Sequence, residues 1–223
     1  MKFEVAIAKS HKKHKNKFLA WLNSIRYYIT SNVIWFLSDI QLYPWPLFCI
    51  FRTHGYRVNA EQTRRVFTFI RPGDILLRRF DKYLGTRFIP GYFTHSALYV
   101  GDLSLSEPDR IVHALGEGVI KEDLLKFLRC DDIVVIRPNL EEEEIKKVVA
   151  FALNHIGALY DFDFDFNNNV KFSCTEFVYA CFKEFKEKLN IKPKKRLWKL
   201  TIIPDDYLEI NGKKVYDTRI QNG

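Results

Sequence analysis

Residues 171–182 read KFSCTEFVYACF, and this stretch decides how the chain is read. A cysteine stands between a serine and a threonine at the head of an apolar run. Phe177, Val178, Cys181, Phe182 and Phe185 then recur at helical spacing. Ser173 or Thr175 can cap that helix. Cys174 therefore lies at the cap or in the first turn, where unpaired backbone N–H groups and the helix dipole stabilise a thiolate and lower its pKa. The same N–H groups could hold an oxyanion. An activated sulfur with donors aimed at developing charge is what a cysteine nucleophile needs. From position alone a small buried thiol that starts a helix is the plainer reading, since free cysteine is among the most buried residue types. Cys181, two turns deeper among phenylalanines, reads as core.

Working outward, Pro72-Gly73 opens a run of strands: 74–79 (DILLRR), 93–101 (FTHSALYVG), 110–120 (RIVHALGEGVI) and 131–138 (DDIVVIRP). His95, Ala97 and Tyr99 share one face of the second strand. Gly116 and Gly118 mark a turn or bulge in the third. A short helix is expected over 122–128 (EDLLKFL) and another over 60–70. The clearest helix covers 141–157, with acidic residues in its first turn, an apolar stripe of Ile145, Val148, Val149 and Ala152, and Gly157 as its stop. Strict alternation makes 160–166 (YDFDFDF) a strand. Neighbouring strands with few intervening helices favour an α+β domain, an antiparallel sheet with helices packed on it.

The chain has 223 residues, 47% of them hydrophobic, so a sizeable core can form and wholesale disorder is excluded. Net charge is +8, and residues 1–17 supply six lysines against one glutamate. Residues 18–51 are apolar, with only Arg26 and Asp39 charged and three of the four tryptophans. A helix spanning a bilayer needs about 20 apolar residues, and this segment is interrupted by Thr30, Ser31, Asn32, Asp39, Pro44 and Pro46. It reads either as a helical layer on the following domain or as an interfacial segment flanked by lysines. The four cysteines form no CxxC pair, which suits a reducing compartment. With no secretory pattern visible, the expected location is the cytoplasm, peripheral to a membrane through residues 1–51. No nucleic-acid motif is found, so no nucleic-acid partner is expected.

A thiol nucleophile needs a base. His95 and His113 lie on consecutive strands, and whether they share a face depends on register. Asp161, Asp163 and Asp165 imitate a calcium loop, but Phe166 and Phe172 occupy the positions that require glycine and glutamate. No metal or cofactor is called for. Glu117, between glycines, could orient a histidine or cap a turn.

In order and separation, PGDILLRR (72–79), THSALYVGD (94–102), IVHALGEGV (111–119), DDIVVIRP (131–138) and YDFDFDF…SCTEFVYACF (160–166 and 173–182) resemble the circularly permuted NlpC-type papain-like cysteine hydrolases of the YiiX/YebB-like group. The resemblance runs from about Arg71 to Phe185. It implies a papain-like core whose histidine strand precedes its cysteine helix. Cys174 would be the nucleophile and His95 its base. His113 would fill the third polar position, where the group often has glutamate; a second histidine resembles the arrangement in lecithin retinol acyltransferase-like relatives. Glu117 is the fallback for that role, and Tyr160 a candidate oxyanion donor. The implied substrate is a peptide amide or a lipid-like acyl group, released by hydrolysis or passed on by acyl transfer. A non-catalytic surface-binding protein on the same fold is the rival. The expected organisation is a basic tail (1–17), an apolar helical extension (18–70), the catalytic domain (71–210) and a C-terminal tail (211–223).

Overall fold

The computed structural model describes residues 21–33, 55–81, 83, 86, 89–101, 109–164, 166, 170–196 and 199–220. Its centre is a six-stranded antiparallel sheet built from β1 (Ile75–Arg79), β2 (His95–Tyr99), β3 (Asp109–Leu115), β4 (Gly118–Asp123), β5 (Asp132–Pro138) and β8 (Gly212–Asp217), in the spatial order β4-β3-β2-β1-β5-β8. A small separate hairpin, β6 (Lys194–Arg196) and β7 (Lys199–Thr201), follows the cysteine helix. The α-helices among the described residues are α1 (21–33), α2 (Ala60–Phe69), α3 (Leu124–Phe127), α4 (Glu142–Asn154), α5 (Cys174–Cys181) and the single-turn α6 (Lys186–Leu189).

Both faces of the sheet are covered. Ile75, Leu77, Leu98, Val112, Val134 and Ile136 pack under α4 and α5, through Val148, Ala152, Phe177 and Val178. Leu76, Ala97, Ile111, Ile133 and Val135 face the other way, onto Val66 of α2 and onto Leu124, Phe127 and Leu128. Burial on two faces is why the central strands are apolar at successive positions, as in Ile75-Leu76-Leu77 and Ile133-Val134-Val135-Ile136, rather than alternating.

Several expectations are revised. Residues 212–217 are not tail. They add a strand to β5 and bury Tyr216 in the α2 face, while Lys213 and Lys214 keep this edge charged. The helix expected over 122–128 starts later. Glu122 lies within β4, Asp123 ends that strand and caps the helix, and Leu124–Phe127 is a single turn. The described residues of the alternating segment 160–166 form no strand. Asp161 accepts a hydrogen bond from the Asp163 N–H at 2.9 Å, and Phe164 takes a left-handed φ of 51°. That local side-chain-to-backbone bond competes with a ladder, as aspartate does in turns. The 141–157 helix is three residues shorter at its C-terminal end, where His155 is the cap.

Gly118 is where two segments meet. It follows the two-residue turn of the β3–β4 hairpin at φ +113°, and a Cβ there would lie 2.3 Å from the Ala158 carbonyl. The close approach lets Val119 bond the segment after α4 through Ala158 O and Gly157 N, each at 2.8 Å. That segment leads straight to Tyr160 and the cysteine helix. Among the described residues no helix is long and apolar enough to cross a membrane. Trp35 and Trp45 lie outside the described residues.

Candidate active site

The sequence S-x-x-E sets the head of α5. Ser173 is the N-cap, its N–H bonded to Glu176 Oε2 at 2.8 Å and its Oγ accepting from the Glu176 N–H at 3.5 Å. Phe177 and Val178 are fully buried, and the Tyr207 hydroxyl donates to the Thr175 carbonyl at 2.8 Å, so the helix end is held from the side. Cys174 is the first helical residue and is 9% exposed. Burial pushes its thiol up, against the lowering effect of Ser96 and of the Thr175 N–H. The depressed pKa expected from the helix end is therefore not the outcome. Desolvation of the charged form outweighs the dipole, and the resting sulfur is a thiol. Cys181, two turns on, is pushed up further by the same burial, with only its own backbone to offset it. Cys130 is pushed up to about 12.

Register answers the question about the histidines. Arg78 pairs with His95 across β1–β2, and Tyr99 pairs with Ile111 across β2–β3. Continuing that register places His95 and His113 on the same face, the α3 side. Their rings meet there, with His95 Nε2 and His113 Nδ1 2.8 Å apart, and both pack against Phe127. His113 Nε2 points at Glu122 Oε2, 3.5 Å away. That distance is just long of an ordinary hydrogen bond, a carboxylate facing an imidazole that burial keeps neutral. Glu122 also takes Arg78 Nη1 at 3.2 Å and Lys126 Nζ at 3.2 Å. The Arg78 guanidinium lies over the Phe127 ring at 4.1 Å.

Arg78 and Glu122 were not legible as site residues. Glu122 was read into a helix, and Arg78 looked like the charged end of a strand. The only available signal was the two-residue periodicity, which sets Arg78 opposite His95 once the pairing is known. Arg78 has an electrostatic effect on everything nearby. Burial first, then the Arg78 charge, holds both imidazoles well below 6.5. Burial likewise lowers Arg78 itself, with Glu122, Cys130 and Cys174 acting against it.

Cys174 and His95 flank β2 from opposite sides. Ser96 faces the sulfur from the α5 side through both its backbone and its hydroxyl, while His95 leaves the strand towards α3. The β2–β3 ladder pairs Leu98 with Val112 and Tyr99 with Ile111, beyond the His95 end of the strand. Among the described residues, the β2–β3 ladder therefore stops short of the start of β2, where His95 and Ser96 stand. His95 uses Nε2 on His113, so Nδ1 is the ring nitrogen not engaged in that pair.

Tyr160 comes to the site as well. Its buried hydroxyl faces the Cys174 N–H, and burial together with Cys174, Glu176 and Asp161 raises its pKa well above 10. It remains a neutral O–H donor. Glu117 does not join the group. It is exposed at the tip of the β3–β4 turn. Among the described residues no group of three or more histidine, cysteine, aspartate or glutamate side chains could hold a metal ion.

Residues 69–215 match the model of a family described as permuted papain-like amidase enzymes, YaeF/YiiX, the C92 family. The chain also resembles a solved structure, the metalloprotein YiiX of Escherichia coli O157:H7, at 16% identity and a TM-score of 0.51, over 66% of this chain and 97% of that one. At that identity the likeness speaks for the fold. No curated protein matches. The family match covers most of the chain, which belongs to the permuted papain-like amidases. It is an α+β cysteine hydrolase.

Proposed function

We propose that this member of the permuted papain-like amidases works by general-base thiol catalysis on an amide or lipid-like acyl substrate, with Cys174 as nucleophile and His95 as base. The observation that carries the reading is the aligned series Glu122–His113–His95. An ionised Glu122 favours a proton on His113 Nε2. His113 Nδ1 is then a lone pair that accepts from His95 Nε2–H at 2.8 Å. This tautomer set leaves the lone pair of His95 on Nδ1, and the proposal requires that nitrogen to take the thiol proton. The roles match the general logic of a nucleophile, a base and an orienting group.

Because burial and Arg78 disfavour imidazolium, the resting pair is neutral thiol and neutral imidazole. The Cys174 proton moves to His95 Nδ1 as sulfur bonds the acyl carbon. The tetrahedral oxyanion faces the Cys174 N–H and the Tyr160 O–H. The carbon–nitrogen or carbon–oxygen bond then breaks, and the leaving group takes the proton from His95. A thioester on Cys174 remains. Water attacks it, His95 accepts the water proton, the carbon–sulfur bond breaks, and the thiolate is reprotonated from His95. Where an amine or alcohol resolves the thioester instead of water, the same steps give acyl transfer.

A thiol-reactive acyl probe tests the reading. Labelling should be lost in Cys174→Ala and retained in Cys181→Ala. Equal labelling of wild type and both variants would remove Cys174 from the nucleophile role and favour a non-catalytic binding protein.

A further inference from the structure

Helix α1 is amphipathic in the wrong sense for a soluble layer. Such a helix normally turns its apolar stripe to the core. Here the side towards the domain is polar or aromatic. The Tyr27 ring meets Phe162 edge-on at 5.5 Å, its hydroxyl donates to the Tyr160 carbonyl at 2.5 Å, and Arg26 pairs with Asp163 at 2.9 Å. Leu22, Ile25, Ile29 and Val33, at helical spacing of three and four, make the stripe, and they face outward. Ile29 is 56% and Val33 50% exposed, and Tyr28 beside them is 70% exposed. Contiguous exposed apolar surface of this kind marks an interaction site.

The surroundings are cationic. Lys171 sits over the Tyr27 ring at 4.0 Å, and Lys199 of the basic β6–β7 hairpin reaches the Asp163 carbonyl at 2.7 Å, the same residue that Arg26 of α1 pairs with. Lys195 of that hairpin is exposed, and six lysines lie among residues 1–17, just ahead of α1 in the chain. An apolar helical stripe with aromatics and flanking lysines is the chemistry of a helix lying in an anionic lipid interface.

We infer that the outward face of α1, with the β6–β7 hairpin beside it, docks this protein on a bilayer containing anionic phospholipid and sets the mouth of the Cys174 site on the membrane. Tyr160 links the two, since its carbonyl holds Tyr27 and its hydroxyl faces the Cys174 N–H. The inference rests on the catalytic reading only for what the membrane presents to the site. Docking itself needs no reactive thiol.

The test is co-flotation of the full chain with vesicles of phosphatidylcholine alone or with added phosphatidylserine, at low and high salt. Wild type and Cys174→Ala should float with the anionic vesicles and be released by salt. The variant carrying Leu22→Ser, Ile25→Ser, Ile29→Ser and Val33→Ser should lose flotation while keeping its circular dichroism spectrum. Lys195→Gln and Lys199→Gln should each weaken binding by about fivefold, which gives a second measure if the serine variant does not fold. Wild type that stays unbound would overturn the inference. So would flotation unchanged by either set of substitutions, or a stripe-dependent dimer in its place. Loss of acyl-probe labelling specificity with flotation intact would instead count against the catalytic reading alone.

Discussion

Substituting Glu122→Gln isolates the electrostatic part of the site. Glu122 Oε2 is shared by Arg78 at 3.2 Å and His113 at 3.5 Å, while Oε1 faces Lys126 at 3.2 Å. A glutamine can keep its carbonyl towards Arg78 and His113 and turn its amide group to the exposed lysine, so the tautomers survive and only the charge is lost. At 3.5 Å, a unit charge and a protonated ring attract by about 4–5 kcal/mol at an effective dielectric of about 20. The carbonyl dipole retains part of this, and the imidazolium charge lies mainly one ring away on His95. A net loss of about 1.4–2.8 kcal/mol follows, or one to two pK units of base strength. The thiolate–imidazolium pair should then be about 10–100-fold scarcer. The assay is the rate of Cys174 alkylation by iodoacetamide, read by mass spectrometry of the Cys174 peptide from about pH 5 to 9. Glu122→Gln should slow it by that factor near neutrality. Arg78→Met should speed it, because the charge that depresses both imidazoles is gone. Breaking a buried pair costs about 3–5 kcal/mol of stability, so each variant is compared only where its circular dichroism matches wild type. Folded Glu122→Gln protein with rates within about twofold of wild type would refute the coupling of Glu122 to the thiol.

Two other predictions concern stability. His95 and His113 are held neutral below 6.5 in the folded state, so the unfolded chain binds more protons once the pH falls beneath that value. Their contribution is complete above 6.5 and is lost as the pH drops towards their folded values, by up to about 2.7 kcal/mol per pH unit for the two together. Urea midpoints should fall more steeply below 6.5 in wild type than in a His95→Asn, His113→Asn variant, and parallel slopes would contradict this. Gly118→Ala should cost about 2–5 kcal/mol, since its Cβ would lie 2.3 Å from a backbone carbonyl at φ +113°. An unchanged melting temperature would mean that the two segments are free to part there.

The local features of the site were legible because short-range physics sets them. Ser173 and Glu176 form their capping box from residues three apart, and the apolar spacing after Cys174 defines a helix without reference to anything else. The acidic first turn of α4 is likewise self-contained. The ordered motifs from Pro72 to Phe182 carried the permuted papain-like resemblance, and the family match confirms it. By contrast, YDFDFDF misled because alternation records a pattern and not a partner. Among the described residues no strand pairs with it, and the Asp161 side chain accepts from the Asp163 N–H instead.

The sequence by itself determined which residues could do thiol chemistry and most of the strands and helices, with 160–166 and 212–217 the exceptions. Tertiary structure decided which of them meet. The joining of His95 to His113, and of both to Glu122 and Arg78, depends on antiparallel register between segments up to 44 residues apart, and a slip of one residue would turn each side chain to the other face. It also decided the sign of the thiol shift. The helix end favours thiolate, but burial, which only packing creates, favours thiol. The outward stripe of α1 has the same origin. Its period is written in the chain, while its direction follows from the one side of the helix that Tyr27 and Arg26 fasten to the domain.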